Sequence, residues 1–262
     1  MSLDVFRKMN EHVWLMSDSD GACGYLVTGS KIAAVIDTMN GIVDVKAAVR
    51  SVTDLPVIII NTHGHPDHIL GNVFFNQSAY LNSKDLDVVR KYRKIDPDFA
   101  LVLEKAGLSD LPPFIDMEDG DVFDLGSLHL KVIAVPGHTP GSVCLLLEED
   151  RILFAGDSIN HAPWLFLNES LPLSSCLESL ERISWVTEKA DRILHGHGRS
   201  FEDISLLPHL TEGIRDLIRD GGEDDTEQIE FFDSQGYMHR FGDKDLEVYP
   251  CDKGERIYYR KD

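Results

Sequence analysis

Apolar positions follow two rhythms along the first hundred residues. The stretches "HVWLMSD", "CGYLVTG" and "SKIAAVIDT" are short, rich in β-branched and aromatic residues, and divided by Gly, Ser and Asp, so they predict three strands. Residues 42–53, "IVDVKAAVRSVT", instead place Ile42, Val45, Val49 and Val52 at helical spacing. Pro56 ends that segment. The run "VIIIN" after it is continuously apolar, the pattern of a strand buried on both faces. "AYLNS" predicts another strand. Residues 83–106 predict two consecutive helical pieces, with Ser83 and Asp96 as N-caps and Pro97 at the first helical position.

The second half begins with "LPPFIDMEDGDVFDLG", read as loop and hairpin. "LHLKVIAVPGHTPGS" is a strand entering a Gly/Pro-rich loop, and "VCLLLEEDRILFAGDS" is strand, acidic turn and strand. Residues 159–175 read as a Pro-punctuated apolar loop. "SSCLESLERISWV" predicts an amphipathic helix, "ADRILHGHGRS" a strand, residues 206–220 a helix, and "QGYMHRFG" and "ERIYYR" two late strands. The segments "GYLVTGSKIAAVIDT" and "GSVCLLLEEDRILFAGDS" share one plan: Gly, strand, turn, strand, aspartate (Asp37 or Asp157). Two β-rich halves of this kind predict sheet packed on sheet with helices outside. The expected organisation is one domain over residues 1–262, with 201–262 a helix-and-strand extension.

Composition narrows the partners. The formal net charge is −20, with 43% hydrophobic residues. Such a field repels nucleic acid and anionic membrane surfaces and favours a small-molecule substrate. No run approaches the roughly 18 apolar residues of a membrane span. The four cysteines, Cys23, Cys144, Cys176 and Cys251, contain no CxxC pair. With a charged N-terminus that lacks an apolar signal segment, they predict reduced thiols and a cytoplasmic protein. The late strands leave two arrangements open, closure of the sheet or pairing in a homodimer.

Chemistry concentrates at strand ends. His63, His65, Asp67 and His68 follow "VIIINT", His138 follows "LKVIAVPG", Asp157 follows "ILFAG", and His197 follows "RILHG". Face-to-face sheets would bring these ends to one edge, where imidazoles and carboxylates form a metal site. Residues two apart in an extended loop point to one side, so His63 and His65 can grip one ion. Asp67 and His68 point elsewhere, toward a second ion, and the two oxygens of Asp157 suit a bridge.

"HGHPDH" resembles the HxHxDH motif of the metallo-β-lactamase superfamily. "PGHTPGS", "FAGDS" and "HGHG" follow in that family's order, so the resemblance covers residues 12–200. It implies an α/β fold, the four-layered αβ/βα sandwich. It also implies a dinuclear site: His63, His65 and His138 on one ion, Asp67, His68 and His197 on the other, Asp157 bridging. "DHILGN" is similar to the family's D-H-x-x-G-N, so Gly71 and Asn72 are expected to support the loop. Asp37 resembles an aspartate lying behind the ligands, where it would orient a ligand histidine. His195 departs from the pattern, which usually has a small residue or Pro there.

The activity so implied is hydrolysis of a small ester, thioester or lactone by a metal-bridging hydroxide, with two divalent ions about 3.5–4 Å apart. Zinc is the expected metal, with iron or manganese also suited. Asp67 is the expected proton acceptor for the leaving group and His161 a substrate-polarising residue. Trp164 and Phe166 are expected in the pocket wall for an apolar acyl group. The basic stretch "KDLDVVRKYRKI" reads either as a solvated face or as a guide for an anionic group. Two alternatives remain: a persulfide dioxygenase with one iron on His63, His65 and Asp157, and a non-catalytic metal-binding protein. Residues 201–262 are short and acidic, unlike a glutathione-holding helical domain. The absence of tyrosine between Asp157 and His197 counts against a lactonase.

Overall fold

Strict alternation along the strands sorts their side chains into separate cores. The computed structural model describes residues 3–242, 247–248 and 252–261. Strands β1 (Val5–Lys8), β2 (Val13–Ser17), β3 (Cys23–Thr28), β4 (Ala33–Ile36), β5 (Val57–Ile60), β6 (Ala79–Tyr80) and β7 (Phe114–Ile115) form one sheet in that order. A second sheet comprises β8 (Val122–Asp124), β9 (His129–Ala134), β10 (Val143–Leu147), β11 (Ile152–Gly156), β13 (Arg192–His195) and β14 (Glu202–Asp203), in the order β14-β13-β11-β10-β9-β8. Leu15, Tyr25, Ile36 and Ile60 of the first sheet share one core with Leu130, Val132, Leu145 and Phe154 of the second.

Their strand neighbours point outward. Met16, Leu26 and Val35 pack under Val45 and Val49 of α1 (Val45–Val52). Cys144, Leu146, Leu153 and Ala155 pack under α5 (Leu173–Arg182) and α6 (Leu206–Asp220), through Leu180, Leu210 and Ile214. Helices therefore cover both outer faces, which gives the four-layered αβ/βα sandwich. Each fully buried Leu, Ile or Phe contributes about 1.5–3 kcal/mol by leaving water, so three contiguous apolar layers fix the strand ends firmly.

Strand direction then places the site. β4, β5 and β6 run parallel in the first sheet. In the second, β9 and β11 are each antiparallel to β10, and β13 is parallel to β11, so β9, β11 and β13 point the same way. The two hairpins with a shared plan, β3–β4 and β10–β11, are antiparallel pairs in different sheets. Each delivers its aspartate, Asp37 or Asp157, just past a strand end. The loop after β5 turns through α2 (Pro66–Ile69). Its main chain is tied down by Thr38 N–H donating to the His68 carbonyl at 2.8 Å and by Asn61 Nδ2 donating to the same oxygen at 2.8 Å. Asn72 Nδ2 donates to Asn61 Oδ1, and Thr38 Oγ1 donates to Asn72 Oδ1. Gly71 lies so close to Thr38 that a Cβ would overlap the Thr38 carbonyl oxygen.

Several expectations change. Residues 83–106 split into a short 3-10 turn at Ser83–Asp85, α3 (Leu86–Ile95) and α4 (Pro97–Ala106). Asp96 caps α4 by accepting from Asp98 N–H, but it is Asn82, not Ser83, that caps the preceding turn. The segment 111–126 makes no hairpin: β7 joins the first sheet and β8 the second, so this stretch crosses between sheets. The edge strand β1 is not predicted by its mixed polar sequence.

The loop at 159–175 contains a strand, β12 (Trp164–Leu165). It pairs with β19 (Arg256–Tyr259), which continues through β16 (Ser234–Arg240) to β15 (Gln228–Phe231). The late strands thus close neither main sheet. They build a third, four-stranded sheet that borrows a strand from the middle of the chain. A separate pair, β17 (Glu247–Val248) and β18 (Asp252–Lys253), is antiparallel. Cys23, Cys144 and Cys176 are free and buried, whereas Cys251 lies outside the described residues. Among the described residues no helix is long and apolar enough to cross a membrane.

Gly71→Ala is expected to destabilise the protein by about 2 kcal/mol or more, because backbone must move to admit the methyl group. Thermal unfolding should show a melting temperature lower by roughly 4 °C or more; an unchanged value would remove Gly71 from the support of the α2 loop.

Candidate metal centre

Three strand ends of the second sheet and two of the first converge on one seam. The ligand-type atoms of His63, His65 and His138 lie within 4.8 Å of one another, as do those of Asp67, His68 and His197, and those of His63, His68 and Asp157. All seven residues singled out by their spacing are therefore brought together. Asp157 lies between the two outer groups: Oδ2 is 3.1 Å from His197 Nε2 and 3.8 Å from His138 Nε2, and Oδ1 is 3.5 Å from His68 Nε2. Asp67 Oδ2 is 3.5 Å from His68 Nε2 and 3.4 Å from His197 Nε2.

The outward-facing ring nitrogens decide what faces inward. His65 Nε2 donates to Glu169 Oε1 at 2.9 Å, and His138 Nδ1 donates to the Trp164 carbonyl at 2.7 Å. Thr62 Oγ1 donates to Asp37 Oδ2 at 2.7 Å and so accepts from His63 Nδ1 at 3.1 Å. Each neutral imidazole carries one N–H. That proton is used outward in all three, and His63 Nε2, His65 Nδ1 and His138 Nε2 are left as bare lone pairs. Yet His65 Nδ1 is 3.0 Å from His63 Nε2 and 2.9 Å from His138 Nε2. Three lone pairs at that range repel unless a cation lies among them.

The second group makes the same case. His68 Nδ1 bonds Asp37 Oδ2 at 2.8 Å, and His68 Nε2 is buried with no hydrogen-bond partner among the described residues. Asp157 Oδ1 is buried and equally unpartnered. Buried polar atoms left without partners cost about 1–3 kcal/mol each, and these two point at one seam. A Cβ on Gly196 would collide with Asp157 Oδ1, so that glycine keeps the seam open. The donor set of imidazole nitrogen and carboxylate oxygen fits divalent metal ions.

Local electrostatics divide the site: His63 and His138 are pushed toward the neutral form, whereas neighbouring carboxylates outweigh burial and raise His68 and His197 well above the usual histidine range. Burial lowers the pKa of His63, and the rings of His68, His65 and His138 reinforce it; His138 is lowered to about 4 by burial and by His65. Both are neutral at physiological pH, as ligands must be. For Asp157, burial raises the pKa, but His197 and His68 outweigh it and hold the carboxyl well below its usual range.

Two buried carboxylates support the loops. Asp37, in a left-handed conformation (φ 56°), accepts from Thr62 N–H at 2.7 Å besides bonding His68. Asp85 accepts from Gly64 N–H at 2.8 Å, Thr139 Oγ1 at 2.7 Å and Gly141 N–H at 2.6 Å, and so locks the His63–His65 loop to the His138 loop. Sequence reasoning misses Asp85, because an acid at a helix start looks like any surface acid. It also misses Glu169, although a signal is present: a lone charge inside the apolar "WLFLNESLPL".

The seam opens into a cleft of about 520 Å³. Trp164 lines it, together with Tyr92, Phe231, Phe232 and Tyr258. Phe166 does not. It is fully buried behind Trp164, 5.3 Å between ring centroids, in the space that Gly236 leaves by having no side chain. Tyrosine also reaches the cleft after all, from α3 and β19 rather than from the interval between Asp157 and His197.

His161 lines the cleft, but its ring is held between two carboxylates, Nδ1 to Glu255 Oε1 at 2.9 Å and Nε2 to Glu202 Oε2 at 3.3 Å. No ring N–H is left over to polarise a substrate, so the expectation for His161 is revised to a pin in the cleft wall. His195 is buried beside it, and its carbonyl accepts from Tyr25 OH at 2.7 Å. Three basic residues of α3 are ion-paired within the chain: Arg90 with Asp87, Arg93 with Asp110, and Lys91 with Glu169 and Asp233.

Comparison with known proteins agrees with this geometry. The family model described as the metallo-beta-lactamase superfamily matches residues 23–197, and the chain belongs to that superfamily. A hydroxyacylglutathione hydrolase of Francisella philomiragia is 32% identical over 149 residues, 57% of this chain and 52% of that protein. The acyl-coenzyme A thioesterase MBLAC2 of Homo sapiens is 25% identical over 208 residues, 68% of this chain and 73% of that protein. The chain thus spans about half the length of the first of these relatives. A metallo-beta-lactamase family protein of Thermus thermophilus shares the fold with a TM-score of 0.59 at 22% identity, over 79% of this chain and 77% of that one. A metallo-beta-lactamase from Pontibacter korlensis does so with a TM-score of 0.56 at 21% identity, over 80% and 98%.

The His161 clamp predicts a pH signature. Burial lowers the His161 pKa, but bonds to Glu202 and Glu255 outweigh it, so the folded value stands above the unfolded one of about 6.5. Its stabilisation is fully present below that pH and fades as pH rises through the folded value. The melting temperature of the parent should exceed that of His161→Gln most near pH 5.5 and least near pH 8.5 (about one unit below and two above the free value). A pH-independent gap would contradict the clamp.

Proposed function

We propose that the chain is a dinuclear metal-dependent hydrolase of a small thioester, ester or lactone, with thioesters first. One observation carries this: outward hydrogen bonds leave the inward-facing nitrogens of His63, His65 and His138 as lone pairs, beside the buried and unpartnered His68 Nε2 and Asp157 Oδ1. His63, His65 and His138 would hold one ion, Asp67, His68 and His197 the other, with Asp157 shared. Zinc is the metal we assign, with iron and manganese as alternatives. Bound there, the ions would supply Lewis-acid polarisation of the scissile carbonyl and a water of lowered pKa.

The chain's own residues do the rest. Asp67 lines the cleft and is partly exposed, so one carboxylate oxygen can accept a proton and pass it to the leaving group. Trp164, meeting Phe231 edge-on at 5.0 Å between ring centroids, offers an apolar wall for the acyl group. Tyr92 of α3 meets Phe232 edge-on at 5.8 Å, and both line the cleft. A single iron on His63, His65 and Asp157 would leave the group of Asp67, His68 and His197 without an ion, with His68 Nε2 buried and unpartnered, which argues for two ions over the dioxygenase reading. Burial raises the thiol pKa of Cys23 to about 11 and those of Cys144 and Cys176 to about 12, and inert thiols of this kind suit a reducing, cytoplasmic compartment.

Charge around the cleft bears on the leaving group. Beyond the metal-site carboxylates, Asp20, Asp96 and Asp98 line it, no lysine does among the described residues, and its arginine, Arg256, is buried. The related proteins are named for glutathione and coenzyme A thioesters. A polyphosphate-bearing leaving group would meet like charge here, which costs several kcal/mol when close. We therefore assign a compact leaving group without multiple phosphates.

Metal analysis of protein purified without added metal should give about two zinc ions per chain. Asp157→Ala should lose metal and lower turnover about 100-fold or more. About one iron alone, with oxygen uptake on persulfides, would overturn the hydrolase reading. For the leaving group, acetyl-N-acetylcysteamine should be hydrolysed with a kcat/KM about tenfold or more above that of acetyl-coenzyme A, with the gap narrowing as salt screens the cleft. Preference for the coenzyme would refute the charge argument. Trp164→Ala should raise KM for bulky acyl groups more than for acetyl; equal effects would remove Trp164 from the acyl wall.

A further inference from the structure

We propose that Glu169 is a positioning residue of the metal centre, fixing the ring of His65 so that its Nδ1 lone pair faces the ion. The proposal rests on the metal reading of the site given above. Glu169 sits in the loop after β12, its side chain only 7% exposed. Oε1 accepts from His65 Nε2 at 2.9 Å and from Tyr92 OH at 2.8 Å, and Oε2 accepts from Lys91 Nζ at 2.7 Å.

An imidazole can turn over about its χ2 bond, and each nitrogen then exchanges places with a ring carbon. For His65 such a turn would put Nε2 elsewhere and break the Glu169 bond. Glu169 therefore selects both the orientation and the tautomer. Tyr92 reinforces the choice. Its ring meets that of His65 edge-on at 5.1 Å, while its hydroxyl is committed to the same carboxylate oxygen.

The arrangement has a counterpart. Asp37 backs His68 in the group of Asp67, His68 and His197. Glu169 backs His65 in the group of His63, His65 and His138. Each three-ligand group thus has one imidazole braced by a buried carboxylate, whereas His63 and His138 lean on neutral oxygens, Thr62 Oγ1 and the Trp164 carbonyl. Glu169 is also built into the cleft wall. Lys91 reaches on to Asp233 at 2.8 Å, at the turn between β15 and β16, and neighbouring Asn168 donates to the Asp233 carbonyl at 2.8 Å. The third sheet is joined in this way to a residue of the metal centre.

The test is a Zn²⁺ titration of the full chain, stripped of metal, in competition with a chromophoric chelator, for the parent, Glu169→Ala, Glu169→Gln and Lys91→Met, with thermal unfolding of each metal-free protein alongside. In Glu169→Ala one of the two zinc steps should weaken about 10–100-fold while the other stays within about threefold. Glu169→Gln keeps a hydrogen-bond acceptor and should weaken that step less than alanine does. Lys91→Met removes the tie to the wall but leaves the His65 bond, so both steps should hold within about threefold. Parent-like affinity at both steps in Glu169→Ala would overturn the proposal. So would equal weakening of both steps in Glu169→Ala and Lys91→Met together with lower metal-free melting temperatures, which would mark a purely structural tie. A parent that takes up no zinc would instead overturn the metal reading beneath it.

Discussion

Everything in this protein turns on keeping a set of bare lone pairs aimed at one another in the seam between two sheets. Imidazole nitrogens about 3 Å apart repel, and buried carboxylate oxygens without partners lose their hydration. Such an arrangement holds only if the surroundings leave the side chains no other orientation. Outward hydrogen bonds do this ring by ring, through Thr62, Glu169, the Trp164 carbonyl and Asp37. The apolar layers on either side hold the strand ends that carry them.

That constraint explains the conformational oddities close to the centre. Asp37 takes a left-handed backbone because its carboxylate must reach both the Thr62 N–H and His68. Gly71 and Gly196 are glycines because a Cβ at either would strike the Thr38 carbonyl or the Asp157 carboxylate. Asp85 ties two ligand-bearing loops from different sheets with three hydrogen bonds, so the seam cannot widen without breaking them. Local strain is accepted where the geometry of the centre demands it, and the closely packed cores hold it there.

The third sheet supplies one wall of the cleft beside the ligand-type residues. Its aromatic residues, Phe231, Phe232 and Tyr258, face the same cleft as the ligands, and Trp164 joins the sheet from a loop that begins just after Asp157. The cleft therefore combines an aromatic wall with an acidic lining.

Sequence alone determined the parts whose physics is local. Short apolar and β-branched runs bounded by turn residues set the strands, helical spacing set α1, α5 and α6, and the seven candidate ligands were legible because each follows a strand end, in motifs that resemble the superfamily's. Asp37 was legible only through the family resemblance. What only tertiary structure decided were contacts between residues far apart in the chain. Glu169 and His65 are 104 positions apart, Asp85 and Thr139 are 54, and β12 meets β19 across about ninety residues. Phe166 departs from expectation because its neighbour Trp164 lines the cleft, and nothing local reveals that Gly236 opens a space behind it. His161 departs because Glu255, which occupies its Nδ1, lies 94 residues away. Period and spacing fix what a residue can do along its own strand or loop. Which distant group it meets depends on how the sheets stack, and that is settled only when the whole core is packed.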